Sequence, residues 1–127
     1  MNILVTGSEG LLGSNLVKHL TLLEHNVEGR DKGSLNIENY HEVGYFFRNH
    51  LIDLVIHCAA YTNVDGAESN ETEAFMVNGY GTENIAVTCA RWNIPMVYIS
   101  TEAVFDGEKE TPYTVWDTPS QIGRAHV

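Results

Sequence analysis

Apolar positions follow two alternating patterns along the chain: short continuous runs, and longer stretches that repeat every three to four residues. Asn2–Thr6 is a short β-branched run that ends at Gly7, as a buried parallel strand does; Leu11, Leu12, Leu16, Leu20 and Leu23 then recur at helical spacing. A second strand is predicted over Asn26–Arg30. After a loop at residues 32–36, Ile37, Tyr40, Val43, Phe47 and Leu51 form the apolar stripe of a helix that reaches about His50. Residues 54–58 read as a third strand. Residues 70–92 read as a third helix, with Ala74, Val77, Gly81, Ile85 and Cys89 on one face. Pro95 marks the next boundary, and residues 96–99 form a fourth strand ending at Ser100-Thr101. The order β, α, β, α, β, α, β, without an internal repeat, predicts an α/β fold: a doubly wound parallel sheet of the Rossmann type.

Composition narrows the function classes. A chain of 127 residues with 43% hydrophobic content suits one domain with its own core. No apolar run approaches the ~20 residues of a membrane span, and the opening MNILVTG lacks the basic start of a signal peptide, so no membrane partner and a cytoplasmic location are expected. A net charge of −10, with scattered Lys and Arg, repels nucleic-acid phosphates. Cys58 and Cys89 sit in apolar stretches and read as buried thiols. The six histidines include no i,i+4 pair with a third ligand nearby, so no metal site is expected.

The first strand runs directly into Gly7-Ser8-Glu9-Gly10-Leu11-Leu12-Gly13, which opens the first helix. That is the context in which a glycine turn binds a dinucleotide. Gly7 is expected to allow the sharp turn, Gly10 the approach of backbone to phosphate, and Gly13 close packing of helix on strand. Free N–H groups at the helix start then face the pyrophosphate of NADH or NADPH. No Lys-Ser or Lys-Thr follows, which disfavours a nucleotide triphosphatase. Asp31 lies 18 residues past Gly13, near the offset at which a carboxylate bonds a ribose 2′-hydroxyl. Adjacent Arg30 is suited instead to a 2′-phosphate, so the choice between the cofactors stays open.

The stretch Cys58-Ala59-Ala60-Tyr61-Thr62-Asn63-Val64-Asp65-Gly66-Ala67-Glu68 resembles the dTDP-4-dehydrorhamnose reductases of the extended short-chain dehydrogenase/reductase superfamily. So do the three-glycine turn with Thr6 before it, Val77-Asn78-Gly79-Tyr80-Gly81-Thr82, Ile99-Ser100-Thr101, Val104-Phe105-Asp106-Gly107 and Pro112-Tyr113. The resemblance implies that Gly10, Leu11 and Leu12 border the pyrophosphate, that Asn36 and Ile37 lie by the adenine, and that Ala59, Ala60 and Tyr61 run under the nicotinamide-side ribose. It also implies Thr101 as a catalytic residue that polarises the substrate carbonyl, with Val64, Thr101 and Glu102 beside a nucleotide-sugar substrate. The implied activity of the full-length parent is reduction of a 4-keto-6-deoxy nucleotide sugar, as in dTDP-rhamnose biosynthesis.

The chain departs from the family pattern in places. Ser100-Thr101-Glu102-Ala103 stands where the family usually has Ser-Thr-Asp-Tyr, and Asn36 replaces a more usual aspartate. The family's Tyr-x-x-x-Lys belongs just after Pro119. Tyr61, Tyr80, Tyr98 and Tyr113 have no Lys at i+4, so the chain itself is expected to hold cofactor without turning over substrate. Two other readings use the same pattern: an NAD(P)-binding regulatory subunit resembling that of methionine adenosyltransferase, and a nucleotide-sugar epimerase or dehydratase. A homodimer of the parent is allowed for, with nothing in the chain to specify it.

Phe105, Tyr113 and Trp116 are expected to cover the sheet edge or to face a further domain. Residues 1–120 are expected to form an incomplete NAD(P)-binding Rossmann domain, and residues 121–127 a non-native tail. Ile122-Gly123-Arg124-Ala125-His126-Val127 is the translation of ATC GGA AGA GCA CAC GTC, part of a common sequencing-library adapter, and CAG for Gln121 fits the bases before it.

Overall fold

The computed structural model describes residues 1–61, 66, 69–101 and 104–119. Its strands are β1 (Asn2–Thr6), β2 (Asn26–Arg30), β3 (Leu54–His57) and β4 (Met96–Tyr98). They form one parallel sheet in the order β2-β1-β3-β4. Because the chain leaves β1 toward β2 on one side and later returns to β3 on the other, the strand order reverses between β1 and β3. At such a switch point the connections diverge and leave a crevice beyond the carboxyl ends of the strands.

Side chains alternate across the sheet. Leu4 of β1 and Val55 of β3 face a cluster with Val43, Phe46, Phe47, Ile85 and Cys89. Helices α2 (Tyr40–Arg48) and, further along the chain, Thr82–Arg91 supply those residues. Ile3 and Val5 point to the opposite face, where α1 (Leu11–Leu22) lies over β1 and β2. Helices on both faces make the sheet doubly wound, as the sequence pattern predicts.

Two helices differ from their predicted form. α2 begins at Tyr40, not at Ile37, because the Asn39 side chain accepts a hydrogen bond from Glu42 N–H at 3.1 Å and caps the helix there. Ile37 instead plugs the core from the preceding loop with Leu35, and Leu51 lies exposed. The third helix is not uniform: it runs as α3 (Glu71–Phe75), a π-helical segment (Met76–Gly81) and α4 (Thr82–Arg91). The wider π turn brings Gly81 under Ile37, where a Cβ would meet Ile37 Cδ1 at 2.7 Å.

In α1, Gly13 is the buried residue, while Leu11 is 87% exposed and Leu12 and Leu23 are also largely open. The first two leucines of the predicted stripe therefore face the crevice rather than the core. Cys89 is buried and Cys58 half-buried, both as free thiols. Phe105 and Tyr113 stack on each other at 4.2 Å, and Trp116 lies open.

Candidate functional site

The crevice at the switch point holds a cavity of about 820 Å³, within the range of small-molecule sites. Its floor is the glycine turn. Gly7 adopts φ +68°, and a Cβ there would sit 2.7 Å from Ala59 N, so the loop after β3 crosses directly over the turn. Gly10 N–H donates to Gly7 O at 3.0 Å, and Gly10 is the N-cap of α1 with an open surface. At Gly13 a Cβ would fall 2.0 Å from Gly7 O. The third glycine thus packs helix against the turn itself, a closer constraint than the helix-to-strand packing expected of it.

The first bond of α1 runs from Ser14 N–H to Gly10 O, which leaves the N–H groups of Leu11, Leu12 and Gly13 at the cavity without a helical acceptor. The partial positive charge of a helix start and these donors suit an anion.

The other walls come from the remaining strand ends. Ala59, Ala60 and Tyr61 follow β3 along the cavity, and Ile99, Ser100 and Thr101 follow β4. Arg30 and Asp31 close β2, and Asn36 and Ile37 come from the loop before α2. That loop is pinned: Asn36 N–H donates to Glu42 Oε1 at 3.0 Å, and Asn84 Nδ2 donates to Ile37 O at 2.9 Å. The cavity therefore gathers Gly7, Gly10, Leu11, Leu12, Gly13, Arg30, Asp31, Asn36, Ile37, Ala59, Ala60, Tyr61 and Thr101, all singled out from sequence. Val64 and Glu102 lie outside the described residues.

Arg30 and Asp31 are both already engaged. Arg30 Nη2 donates to Glu28 Oε2 at 2.6 Å, and its guanidinium lies 5.0 Å over the Phe46 ring. Arg30 Nε is buried and has no hydrogen-bond partner among the described residues. Asp31 Oδ1 accepts from Gly33 N–H at 2.8 Å and Ser34 N–H at 3.0 Å, which fixes the carboxylate at the rim.

Beneath the cavity runs a buried polar chain that sequence reading did not assign. Thr6 Oγ1 accepts from Cys58 N–H and Ala59 N–H at 3.2 Å each and lies 2.7 Å from His57 Nδ1. With two donors already on Oγ1, the Thr6 proton points at His57 Nδ1. His57 Nε2–H then donates to Thr82 Oγ1 at 3.0 Å. Burial pushes the His57 pKa down to about 4, which keeps the ring neutral. Asn78, in the π segment, grips the backbone of Tyr61: its Oδ1 accepts from Tyr61 N–H at 2.7 Å and its Nδ2 donates to Tyr61 O at 3.2 Å. The available signal was a lone polar residue inside an apolar run, as at His57 in LVIHC.

A dinucleotide fits this donor set: an open helix start for the pyrophosphate, and glycines where any Cβ would fill the cradle. Among the described residues no group of three or more His, Cys, Asp or Glu is placed to hold a metal ion, and no helix is long and apolar enough to cross a membrane.

A family model described as the RmlD substrate binding domain matches residues 1–124. The chain belongs to this family. It is 39% identical over 128 residues to the dTDP-4-dehydrorhamnose reductase of Mycobacterium tuberculosis, covering 95% of this chain and 40% of that protein. It is 38% identical over 132 residues to a probable low-salt glycan biosynthesis reductase of Haloferax volcanii, covering 96% and 44% respectively. In structure it is similar to the dTDP-4-dehydrorhamnose reductase of Bacillus anthracis in complex with NADP, with a TM-score of 0.89 and 34% identity over 94% of this chain and 43% of that one. The chain thus spans less than half the length of these relatives.

Proposed function

We propose that residues 1–120 are the cofactor-holding part of an NAD(P)H-dependent reductase whose full-length form reduces a 4-keto-6-deoxy nucleotide sugar. The observation that carries this is the glycine turn seated at the switch-point cavity, with the free N–H groups of Leu11, Leu12 and Gly13 opening into it. Similarity to reductases named for such substrates supports the choice of substrate class.

When bound, the nicotinamide supplies the hydride. The chain's own residues bind and orient. The α1 N-terminus holds the pyrophosphate, and Asn36 and Ile37 border the adenine. Ala59, Ala60 and Tyr61 support the nicotinamide-side ribose, held by Thr6 and Asn78 from below. Thr101, beyond the carboxyl end of β4, is the catalytic residue in this proposal: its hydroxyl donates to the substrate carbonyl as negative charge grows on the oxygen. Val64 and Glu102 are assigned to the sugar side by family resemblance.

A tyrosine acid with a lysine four residues later is assigned to the parent beyond Pro119, so the 127-residue chain is expected to bind cofactor without turnover. A cytoplasmic location and a homodimer of the parent belong to the same proposal. The boundary at Ser120 does too. The family match runs to residue 124, so the codons over residues 122–127 test that boundary: any reading other than the adapter string ends it.

Titration of the chain with NADH and NADPH, followed by fluorescence, tests the central claim. Saturable binding of at least one is expected. Failure of both to bind at millimolar concentration overturns it.

A further inference from the structure

We propose that His57 is a positioning residue for the cofactor: it lies behind the cavity wall and, by accepting the Thr6 proton, aims residues 59–61 at the ligand. This rests on the cofactor reading above. Thr6 closes β1 immediately before the glycine turn, and His57 closes β3 immediately before the loop that crosses that turn. The two are partners in the β1–β3 register, so what joins them sets the spacing between the cavity floor and its wall.

A hydroxyl has one proton and two acceptor sites. Cys58 N–H and Ala59 N–H approach Thr6 Oγ1 at 3.2 Å each, and His57 Nδ1 stands 2.7 Å away. Cys58 N–H also reaches Thr6 O at 3.3 Å, so Ala59 N–H is the donor that depends on the hydroxyl. A ring carrying its proton on Nδ1 would compete with Ala59 for the acceptor sites. Thr82 Oγ1, 3.0 Å from Nε2, decides against that tautomer: it accepts from Nε2–H and leaves Nδ1 bare. Thr82 opens α4 directly after the π segment, so this junction fixes the ring that fixes the hydroxyl.

Thr6 and His57 are each 1% exposed, and bulk water does not replace the ring. A Thr6 hydroxyl without its acceptor turns, and its hold on Ala59 loosens. Ala59 already lies against the glycine turn, with its N 2.7 Å from where a Gly7 Cβ would stand. A released wall therefore moves away from the floor, and the site loses its preorganisation for a ligand that spans both.

Two substitutions separate this role from packing. His57→Asn puts an amide oxygen near the place of Nδ1 and nothing at Nε2. His57→Gln reaches toward Thr82 and leaves the Thr6 proton without its acceptor. Both remove ring volume, so NADH titrations of the 127-residue chain are run where circular dichroism shows each variant folded. Binding about tenfold weaker is expected in His57→Gln, with recovery to within about threefold of the unsubstituted chain in His57→Asn. Amide exchange at Ala59, read without cofactor, should follow the same order. Equal affinity in the two variants, or weaker binding by His57→Asn, overturns the positioning role. Nitrogen NMR shifts of the His57 ring in the unsubstituted chain should show a proton on Nε2 and none on Nδ1; the opposite tautomer overturns the proposal even if neither variant folds. An unsubstituted chain that binds neither NADH nor NADPH overturns the cofactor reading, and the proposal with it.

Discussion

Thr6 and His57, 51 residues apart in sequence, meet side by side at the ends of β1 and β3 with Oγ1 2.7 Å from Nδ1. Both are about 1% exposed. One hydroxyl there serves three groups, since Thr6 Oγ1 also holds the N–H groups of Cys58 and Ala59 where the chain turns over Gly7. Thr6→Val keeps the shape and removes the hydroxyl, leaving Ala59 N–H and the His57 ring nitrogen unsatisfied, while Cys58 N–H keeps its bond to Thr6 O at 3.3 Å. A loss of about 2–3 kcal/mol in denaturant unfolding is expected, with weaker NADH binding. Thr6→Ser restores the hydroxyl and should recover most of both.

The same pair sets a pH dependence. The unfolded-state pKa of a histidine is about 6.5, and burial brings that of folded His57 to about 4. Between these values the unfolded chain takes up a proton that the folded chain refuses. The contribution to stability is therefore present in full above about 6.5, falls as pH drops through the window, and is gone below about 4. Its size is roughly 3 kcal/mol, from ~1.4 kcal/mol per unit. Asp106 and Asp117, held below the usual carboxylate range by a backbone N–H and by Lys109 respectively, lose their contributions only below this window. Unfolding free energies measured from pH 7 to pH 4 should show the slope, and His57→Gln should flatten it. An unchanged slope in that variant would mean the ring titrates normally.

Glycine substitutions separate constraint from composition. Gly13→Ala forces a Cβ to within 2.0 Å of Gly7 O, and neither partner is a side chain that can swing away. The turn must deform, so a loss of at least about 2 kcal/mol and of NADH binding is expected. Gly44 sits inside α2 with nothing within 4 Å of its Cβ position. Gly44→Ala should instead stabilise the chain by about 0.5–1 kcal/mol, through the lower backbone entropy of alanine in the unfolded state. Thermal melts of the two variants should move in opposite directions.

The contrast between these glycines also shows what the sequence could disclose. Gly7, Gly10 and Gly13 are legible because backbone geometry makes a local demand, and that demand falls at fixed spacing between a strand and a helix. The strands are legible because a sheet covered on both faces needs continuous apolar runs. The Thr6–His57–Thr82 chain is not, since its partners lie 51 and 25 residues apart and nothing local marks them. The π segment is also hidden: Ala74, Gly81 and Ile85 are buried at spacings an uninterrupted α-helix would show as well. Leu11 reads as core by type and period, yet lies at the cavity mouth, because hydropathy does not distinguish a core from a ligand site.

Asn78 turns that hidden π segment into a test. A π turn inserts a residue relative to the α repeat and redirects the side chains along it, a feature that recurs at functional sites. Here it aims Asn78 across to Tyr61, whose N–H and carbonyl it satisfies together. Asn78→Asp preserves size and the acceptor facing Tyr61 N–H, but replaces the donor facing Tyr61 O with a second oxygen. Repulsion at a site where Asn78 is 7% exposed is expected to cost about 1–3 kcal/mol and to release residues 59–61 from the cavity wall. Lowering the pH should partly rescue the variant, because a protonated carboxyl regains a donor for Tyr61 O. Amide exchange at Ala60 and Tyr61 reads this directly: faster exchange in Asn78→Asp at neutral pH, slowing toward the parent rate, after correction for intrinsic exchange, as the carboxyl protonates. Equal protection in the two proteins at neutral pH would show that the loop after β3 is held by Thr6 alone.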